Sequence, residues 1–104
     1  MPHPETLEKL LLTGKDSPIL RLSLGNIYLI QAENQKALAH LLKAIELDSH
    51  YSAAWKALGK VYIALGDNHR AMDAYTRGIV VAEKKGDKQA AREMRVFLNR
   101  LLKN

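Results

Sequence analysis

Residues 55–75 read WKALGKVYIALGDNHRAMDAY and contain two apolar stripes separated by a short polar break. Trp55, Leu58 and Tyr62 lie three and four positions apart, so they share one face of a predicted helix. The glycine–aspartate pair at 66–67 is typical of a helix end followed by a capped helix start. The stretch therefore predicts two helices joined by a tight turn.

The same pattern occurs once more, 34 residues earlier in the chain. When 52–85 is aligned with 18–51, large apolar residues fall on large apolar residues and small residues fall on small ones. These are the positions at which helices pack, so we interpret the match as an internal repeat. The paired positions are Leu24 and Leu58, Gly25 and Gly59, Tyr28 and Tyr62, Ala37 and Ala71, Leu41 and Tyr75, Ala44 and Gly78, and Ile45 and Ile79.

The repeat predicts an all-α fold, a helix-turn-helix repeat array with two full repeats at 18–51 and 52–85. A short N-terminal helix within 1–17 and a C-terminal capping helix within 86–104 are expected to flank the repeats, so that 1–104 forms a single domain. No window alternates apolar and polar residues with a period of two, and strands are not expected. The expected helices lie near residues 4–13, 17–31, 34–47, 51–65, 68–85 and 87–103.

Small residues inside the predicted helices indicate close packing. Gly25 and Gly59 lie in helix interiors, where glycine costs about 1 kcal/mol relative to alanine. We expect a close approach of the paired helix to compensate for this cost, with Ala37 and Ala71 opposite the glycines.

The helix ends carry capping residues. Ser17, Asn34 and Ser49 are each expected to cap a helix start, and either Asp67 or Asn68 is expected to cap the fifth helix. The glycine–aspartate pair at 86–87 repeats the same stop-and-cap signal before the last helix.

The last predicted helix has the two faces of a capping helix, one apolar and one polar and basic. The ring of Phe97 is expected to seal the second repeat. The apolar face comprises Ala90, Met94, Phe97, Leu98 and Leu101, and the polar face Lys88, Arg92, Arg95, Asn99 and Lys103.

The composition is that of a globular protein with a formal net charge of +5, and the basic excess lies in residues 52–104. An anionic partner is therefore expected to approach the C-terminal half. The chain has no cysteine, which excludes disulfides and thiolate metal sites and fits a reducing compartment. The first fourteen residues do not resemble a secretory signal, and the most apolar window, 19–30, is too short to span a bilayer. We therefore expect a cytoplasmic protein.

The stretch 18–85 resembles the tetratricopeptide repeat (TPR), and the whole chain is similar to small stand-alone bacterial members of that family. Arg21 stands where the family usually has tryptophan, so the outer end of the first repeat is expected to pack more loosely. The residues that match the family pattern are Trp55, Leu58, Gly59, Tyr62, Ala71 and Tyr75.

The resemblance implies a protein–protein interaction module whose first helices line a concave groove for a protein or peptide segment, acidic and apolar in character. Lys56, Lys60, Arg92 and Arg95 are expected to face the same concavity. The carboxylate clamp of some chaperone adaptors is not supported, because Leu22 replaces one of its lysines and an alanine replaces one of its asparagines. The expected partner-binding residues are Leu22, Asn26, Leu29, Lys56, Lys60, Ile63, Arg92 and Arg95.

Other functions are less well supported by the residues. Serines and carboxylates form no catalytic pattern, so neither an enzyme nor a small-molecule substrate is expected. The four histidines lack the three- to five-residue spacing of a helical metal site, and no metal or cofactor is expected. Self-association, for example as a homodimer, is one alternative, because two repeats leave apolar ends uncovered. Weak nucleic-acid binding through the basic C-terminal half is a further alternative, ranked below the other two.

Overall fold

The computed structural model describes residues 3–103, which contain six α-helices and, within that range, no strand. This part of the chain measures 42 × 29 × 22 Å. The all-α prediction is confirmed, and each helix end lies within one residue of its expected position. The helices are α1 (Pro4–Leu12), α2 (Pro18–Ile30), α3 (Asn34–Leu47), α4 (Ser52–Ala64), α5 (Asn68–Lys85) and α6 (Lys88–Lys103).

The helices pack in sequence order, as short connections require. The helix pairs with the most extensive contacts are α2 with α3, α4 with α5, and α5 with α6. In addition, α4 lies between α2 and α6 and contacts both. The first helix of each repeat and the last helix of the chain therefore share one side of the molecule. No described helix has the length and apolar character needed to cross a bilayer.

Helices α4 and α5 end on glycines in the left-handed region of backbone space. Gly66 has a φ of 78° and Gly86 a φ of 75°, values that cost glycine little because it has no Cβ. Helix α2 ends in the same way, but the residue there is Ala32, with a φ of 60°. The first repeat thus makes the same turn as the second without the residue best suited to it.

Side-chain caps begin three of the helices where the sequence predicted them. Ser17 accepts a hydrogen bond from the N–H of Leu20 at 3.1 Å, and Asp67 accepts one from the N–H of Arg70 at 3.0 Å. Asp87 accepts one from the N–H of Ala90 at 3.2 Å, at the start of α6. Each cap satisfies an amide that the first helical turn leaves unpaired.

The other two predicted caps are wrong. Asn34 is already the first helical residue of α3, and Glu33, which precedes it, makes no side-chain cap. Ser49 lies before the turn that leads into α4, and Tyr51 occupies the cap position without a side-chain hydrogen bond. The carbonyl oxygen of Ser49 instead accepts a hydrogen bond from the indole N–H of Trp55 at 2.9 Å.

The core consists of two apolar clusters, one centred on the first repeat and one between α5 and α6. Trp55 and Tyr62, both half-buried, pack against both clusters and so connect them. The buried members of the first cluster are Leu20, Leu24, Tyr28, Ala37, Leu41, Ala57, Leu58, Val61 and Ala74. Those of the second are Ala71, Tyr75, Ile79, Ala82, Ala91 and Met94.

The two helix-interior glycines do mark close approaches, but not to the residues that the sequence indicated. A Cβ atom on Gly25 would lie 2.6 Å from Cγ of Leu41, and one on Gly59 would collide with the ring of Tyr75. The nearest neighbours are therefore the large residues of the paired helices and not the expected alanines. Each glycine makes room for a bulky side chain, which explains why the helices tolerate it.

A polar network joins α1 to α2 and α3 near the position where the family usually has tryptophan. Arg21 forms a two-pronged ion pair with Asp16, with Nε–Oδ1 and Nη2–Oδ2 distances of 2.8 and 3.0 Å, and its Nη1 lies 3.0 Å from Nδ1 of His40. On the other side of the imidazole, Nε2 lies 3.1 Å from the Glu8 carboxylate. That carboxylate also accepts a hydrogen bond from the hydroxyl of Tyr28 at 2.9 Å.

The partners of His40 determine its tautomer. A guanidinium group can only donate, so Nδ1 of His40 must accept from Arg21 and Nε2 must carry the hydrogen that is donated to Glu8. The Arg21 side chain is only 20% exposed. The loosely packed outer end expected for the first repeat is thus occupied by a set of paired polar groups.

Candidate partner-binding groove

An open cavity of about 470 Å³ lies between α2 and α4, on the side of the molecule that these helices share with α6. On α2 the lining residues lie beside the buried stripe, three or four positions apart, because core packing uses a different face of the helix. We call this cavity the groove. Its lining residues are Leu22, Asn26, Leu29, Ile30, Ala53, Lys56, Ala57 and Lys60.

The groove has a largely apolar lining with one amide. Leu22 and Leu29 are half-buried, whereas Ile30 is 76% exposed. Asn26 is exposed, and its amide can both donate and accept hydrogen bonds.

The two groove lysines extend towards α6. The ammonium of Lys56 lies 2.6 Å from a carboxylate oxygen of Glu93, and that of Lys60 lies 5.6 Å from the centre of the Phe97 ring. The hydrogen bond from Lys56, assisted by one from Gln89, lowers the pKa of Glu93 from its ordinary value. The positive charge of Lys56 is therefore largely neutralised within the protein.

A smaller cavity of about 200 Å³ continues the surface from α4 to α6. Its lining includes the carboxylates of Asp87 and Glu93, together with Lys56, which also lines the groove. Its lining residues are Ser52, Ala53, Lys56, Asp87, Gln89, Ala90 and Glu93.

The prediction that four basic residues face one concavity is wrong. Arg92 and Arg95 line a separate cavity of about 360 Å³ between α5 and α6, where Arg95 forms an ion pair with Glu83 of α5. Successive residues of a helix are rotated by about 100°, and the face of α6 that meets α4 carries Glu93. Arg92 and Arg95 consequently lie on other faces of α6.

Of the eight residues that the sequence singled out, the structure brings five together in the groove. Ile63, which is 40% exposed, follows Lys60 on α4 but does not line the cavity. Sequence reasoning missed three lining residues, Ile30, Ala53 and Ala57. The repeat alignment pairs Ala53 with Ile19, beside the packing stripe, so the signal for Ala53 was present in the sequence.

Comparisons with known proteins agree on one family. Models described as tetratricopeptide repeat match residues 20–51 and 54–89. A TPR repeat-containing protein of Pseudomonas aeruginosa is 45% identical over 97 residues, which cover 93% of this chain and 92% of that protein.

Solved structures give the same result. The solution structure of a protein from Bordetella parapertussis matches with a TM-score of 0.86 at 39% identity, covering 99% of this chain and 90% of that one. The crystal structure of a tetratricopeptide repeat domain protein from Salinibacter ruber matches with a TM-score of 0.77 at 28% identity, covering 83% of this chain and 96% of that one. The chain therefore belongs to the tetratricopeptide repeat family.

Proposed function

We propose that the protein holds a segment of another protein in the groove between α2 and α4. Tetratricopeptide repeats are protein-interaction or scaffold modules and are generally non-catalytic. The observation that carries the proposal is the open cavity of about 470 Å³, whose lining includes apolar side chains that the core leaves exposed. Binding sites are typically concave and lined mainly by apolar side chains with a few polar groups, as this cavity is.

The lining indicates what the segment must offer. Leu22, Leu29 and Ile30 provide a surface for an apolar side chain, and Asn26 can bond to a peptide amide of the partner. Such a contact gives affinity from apolar burial and orientation from the amide. In this proposal the protein acts by binding alone. Its cytoplasmic location stays a prediction.

The experiment is to block the groove without disturbing the core. Asn26 is exposed, so Asn26→Trp fills the cavity while the helix remains intact. Peptides selected from a random display library on the wild-type protein should bind this variant at least tenfold more weakly in fluorescence anisotropy, since a bulky ring occupies their site. Circular dichroism of the variant establishes that the helices remain folded.

The matched control is Gln35→Trp, which places the same side chain on an exposed position of α3, outside the groove. It should bind the selected peptides as the wild type does. Equal binding to wild type and Asn26→Trp would refute the groove as the site.

Self-association is the second candidate, and one observation favours it. Leu12 and Ile19 are 87% and 69% exposed near the N-terminal end of the array, where a second copy could cover them. Sedimentation velocity of the wild type and of a Leu12→Ser/Ile19→Ser variant would test this candidate. A dimer that the double substitution dissociates would support it, whereas a monomeric wild type would remove it.

A further inference from the structure

Two cations lie against one aromatic ring where α4 meets α6. The ammonium of Lys60 lies 5.6 Å from the centre of the Phe97 ring, and the guanidinium carbon of Arg100 lies 5.8 Å from the same centre. Within residues 3–103, neither side chain has a carboxylate within 4 Å, whereas Lys56 is paired with Glu93. The positive charge beside the groove is thus concentrated at Lys60 and Arg100.

The ring that the two cations share is held in place. Phe97 stacks on Tyr75, with ring centres 5.6 Å apart and planes inclined by 23°, and Tyr75 is fully buried. Contact with the aromatic face restrains each cation, so less side-chain entropy is lost when an anion binds. Both cations lie within 6 Å of the same ring centre, so an anion bound beside the ring would be attracted by both.

We propose that Lys60 and Arg100 form a subsite for a carboxylate of the bound segment, next to the apolar groove. This subsite rests on the proposed function and specifies the partner: an extended segment with an apolar residue in the groove and an aspartate or glutamate at the α6 edge. Lys56 is not part of the subsite, because its ammonium is already paired with Glu93 at 2.6 Å, whereas Lys60 acts on that carboxylate only from beyond ion-pair distance.

The spacing of the helices determines how far apart the apolar and acidic side chains of the bound segment must lie. Neighbouring packed helices lie about 8–10 Å apart, so the site between α2 and α4 and the site between α4 and α6 are separated by about that distance. A polyproline-type extended chain rises about 3.1 Å per residue and returns to the same face every three residues, a span of about 9 Å. The acidic residue should therefore lie three positions from the apolar one.

The test uses peptides selected from a random display library on the wild-type protein. Selected sequences should be enriched in an apolar residue and an acidic residue three positions apart. Replacing that acid with its amide should weaken binding roughly fivefold, as expected for one or two exposed charge pairs. The variant Lys60→Met/Arg100→Met should bind the acid and amide peptides equally, at the affinity of the wild type for the amide.

The matched control is Lys9→Met/Lys84→Met, which removes two exposed lysines that have no ion pair within residues 3–103 and lie outside the groove. It should keep the preference for the acid peptide, which would show that the local arrangement matters and not the net charge. The subsite would be overturned if Lys60→Met/Arg100→Met still bound the acid peptide more tightly than the amide peptide. It would also be overturned if the selected peptides lacked an acidic residue three positions from the apolar one. Tight competition by a single-stranded oligonucleotide would also overturn it, as the sign of an unspecific charge effect.

Failure of the subsite can be told apart from failure of the proposed function. If peptides bind and Asn26→Trp abolishes their binding, but the acid makes no difference, the groove stands and the subsite does not. If no peptide is captured, or if Asn26→Trp captures the same peptides as the wild type, both proposals fall.

Discussion

Among the described residues, Ala32 is the only non-glycine residue with a positive φ, and its backbone carries the strain that the glycines avoid. In the left-handed region the Cβ of an L-residue crowds the following carbonyl oxygen, at a cost of about 1–2 kcal/mol. Gly66, at the equivalent turn of the second repeat, has no such cost.

Replacing Ala32 with glycine should therefore stabilise the protein. Part of the relief is offset by the greater flexibility of glycine in the unfolded chain, so we expect a gain of about 0.5–1 kcal/mol. Thermal unfolding followed by circular dichroism should show a higher Tm. The control, Ala39→Gly at an exposed site inside α3, should lower stability by about 1 kcal/mol. A lower Tm in both variants would contradict the strain at Ala32.

Tyr75 is a second residue whose environment should affect the stability of the protein. Its hydroxyl is buried and, among the described side chains, lacks a hydrogen-bond partner. Burial raises the pKa of Tyr75 from 10.0 to about 12, because a phenolate would lose its hydration. Burial and the hydrogen bond to Glu8 likewise raise the pKa of Tyr28 to about 12.

Stability should fall as the pH rises from about 10 to about 12. In that window the unfolded tyrosines lose their protons while the folded ones keep them, so the unfolded state binds fewer protons and unfolding becomes easier. Tyr75→Phe should lessen this loss and should be at least as stable as the wild type at pH 7, because it removes an unsatisfied hydroxyl. Tyr28→Phe should lessen the alkaline loss too, but should be less stable at pH 7 because Glu8 loses a donor. Urea unfolding at several pH values measures both effects.

At the scale of single helices, Met94 is the largest fully buried side chain of α6. This residue is fully buried, and its sulfur fills the space that Gly78 leaves open, whereas the ring of Phe97 is only half-buried. The sequence pointed to Phe97 because aromatic rings usually dominate such contacts. The absence of a side chain at Gly78 shifts the deepest contact to Met94.

Met94→Ala should accordingly destabilise the protein more than Phe97→Ala. A buried methionine replaced by alanine costs about 2–5 kcal/mol, and a half-exposed ring costs less than the full range for buried aromatics. Urea unfolding gives the two free energies, and amide exchange in α6 shows whether the helix detaches. A larger loss for Phe97→Ala would mean that the ring, and not the thioether, secures α6.

The helices could be predicted from the sequence because their stripes repeat, but the faces of α6 could not. Periodicity assigns residues to a common face without saying how the helix is rotated against its neighbours. Leu22, Asn26 and Lys60 were placed by the resemblance to the repeat family, in which the first helix of each repeat lines a concave surface. The same geometry was applied to α6 as if it began a further repeat, and it put Arg92 on the wrong side. The face of α6 that meets α4 became evident only from contacts made in three dimensions.

At the scale of the whole molecule, the two apolar clusters are joined by few side chains. Trp55 and Tyr62 pack against both, so they couple the first repeat to the α5–α6 pair. In repeat arrays such interfaces determine how cooperatively the units unfold.

Trp55→Ala should weaken this coupling as well as the overall stability. In the wild type, the amides of Leu41 and Tyr75, one in each cluster, should exchange with similar free energies of opening. In the variant, the two values should separate as one cluster opens before the other. Hydrogen exchange measured by NMR tests this. Values that stay equal would show that other contacts carry the coupling.

The network around Arg21 also limits how the sequence can change over generations. Tryptophan at this position would make the first repeat match the second, where Trp55 occupies the equivalent place. Taken alone, that exchange would leave Asp16 without its ion-pair partner and Nδ1 of His40 without its donor. An intermediate that lacks both interactions should be less stable than either end point, so substitutions at residues 16, 21 and 40 should be energetically coupled. Changes at residues 16 and 40 that remove the need for a partner would therefore ease a change to tryptophan at position 21.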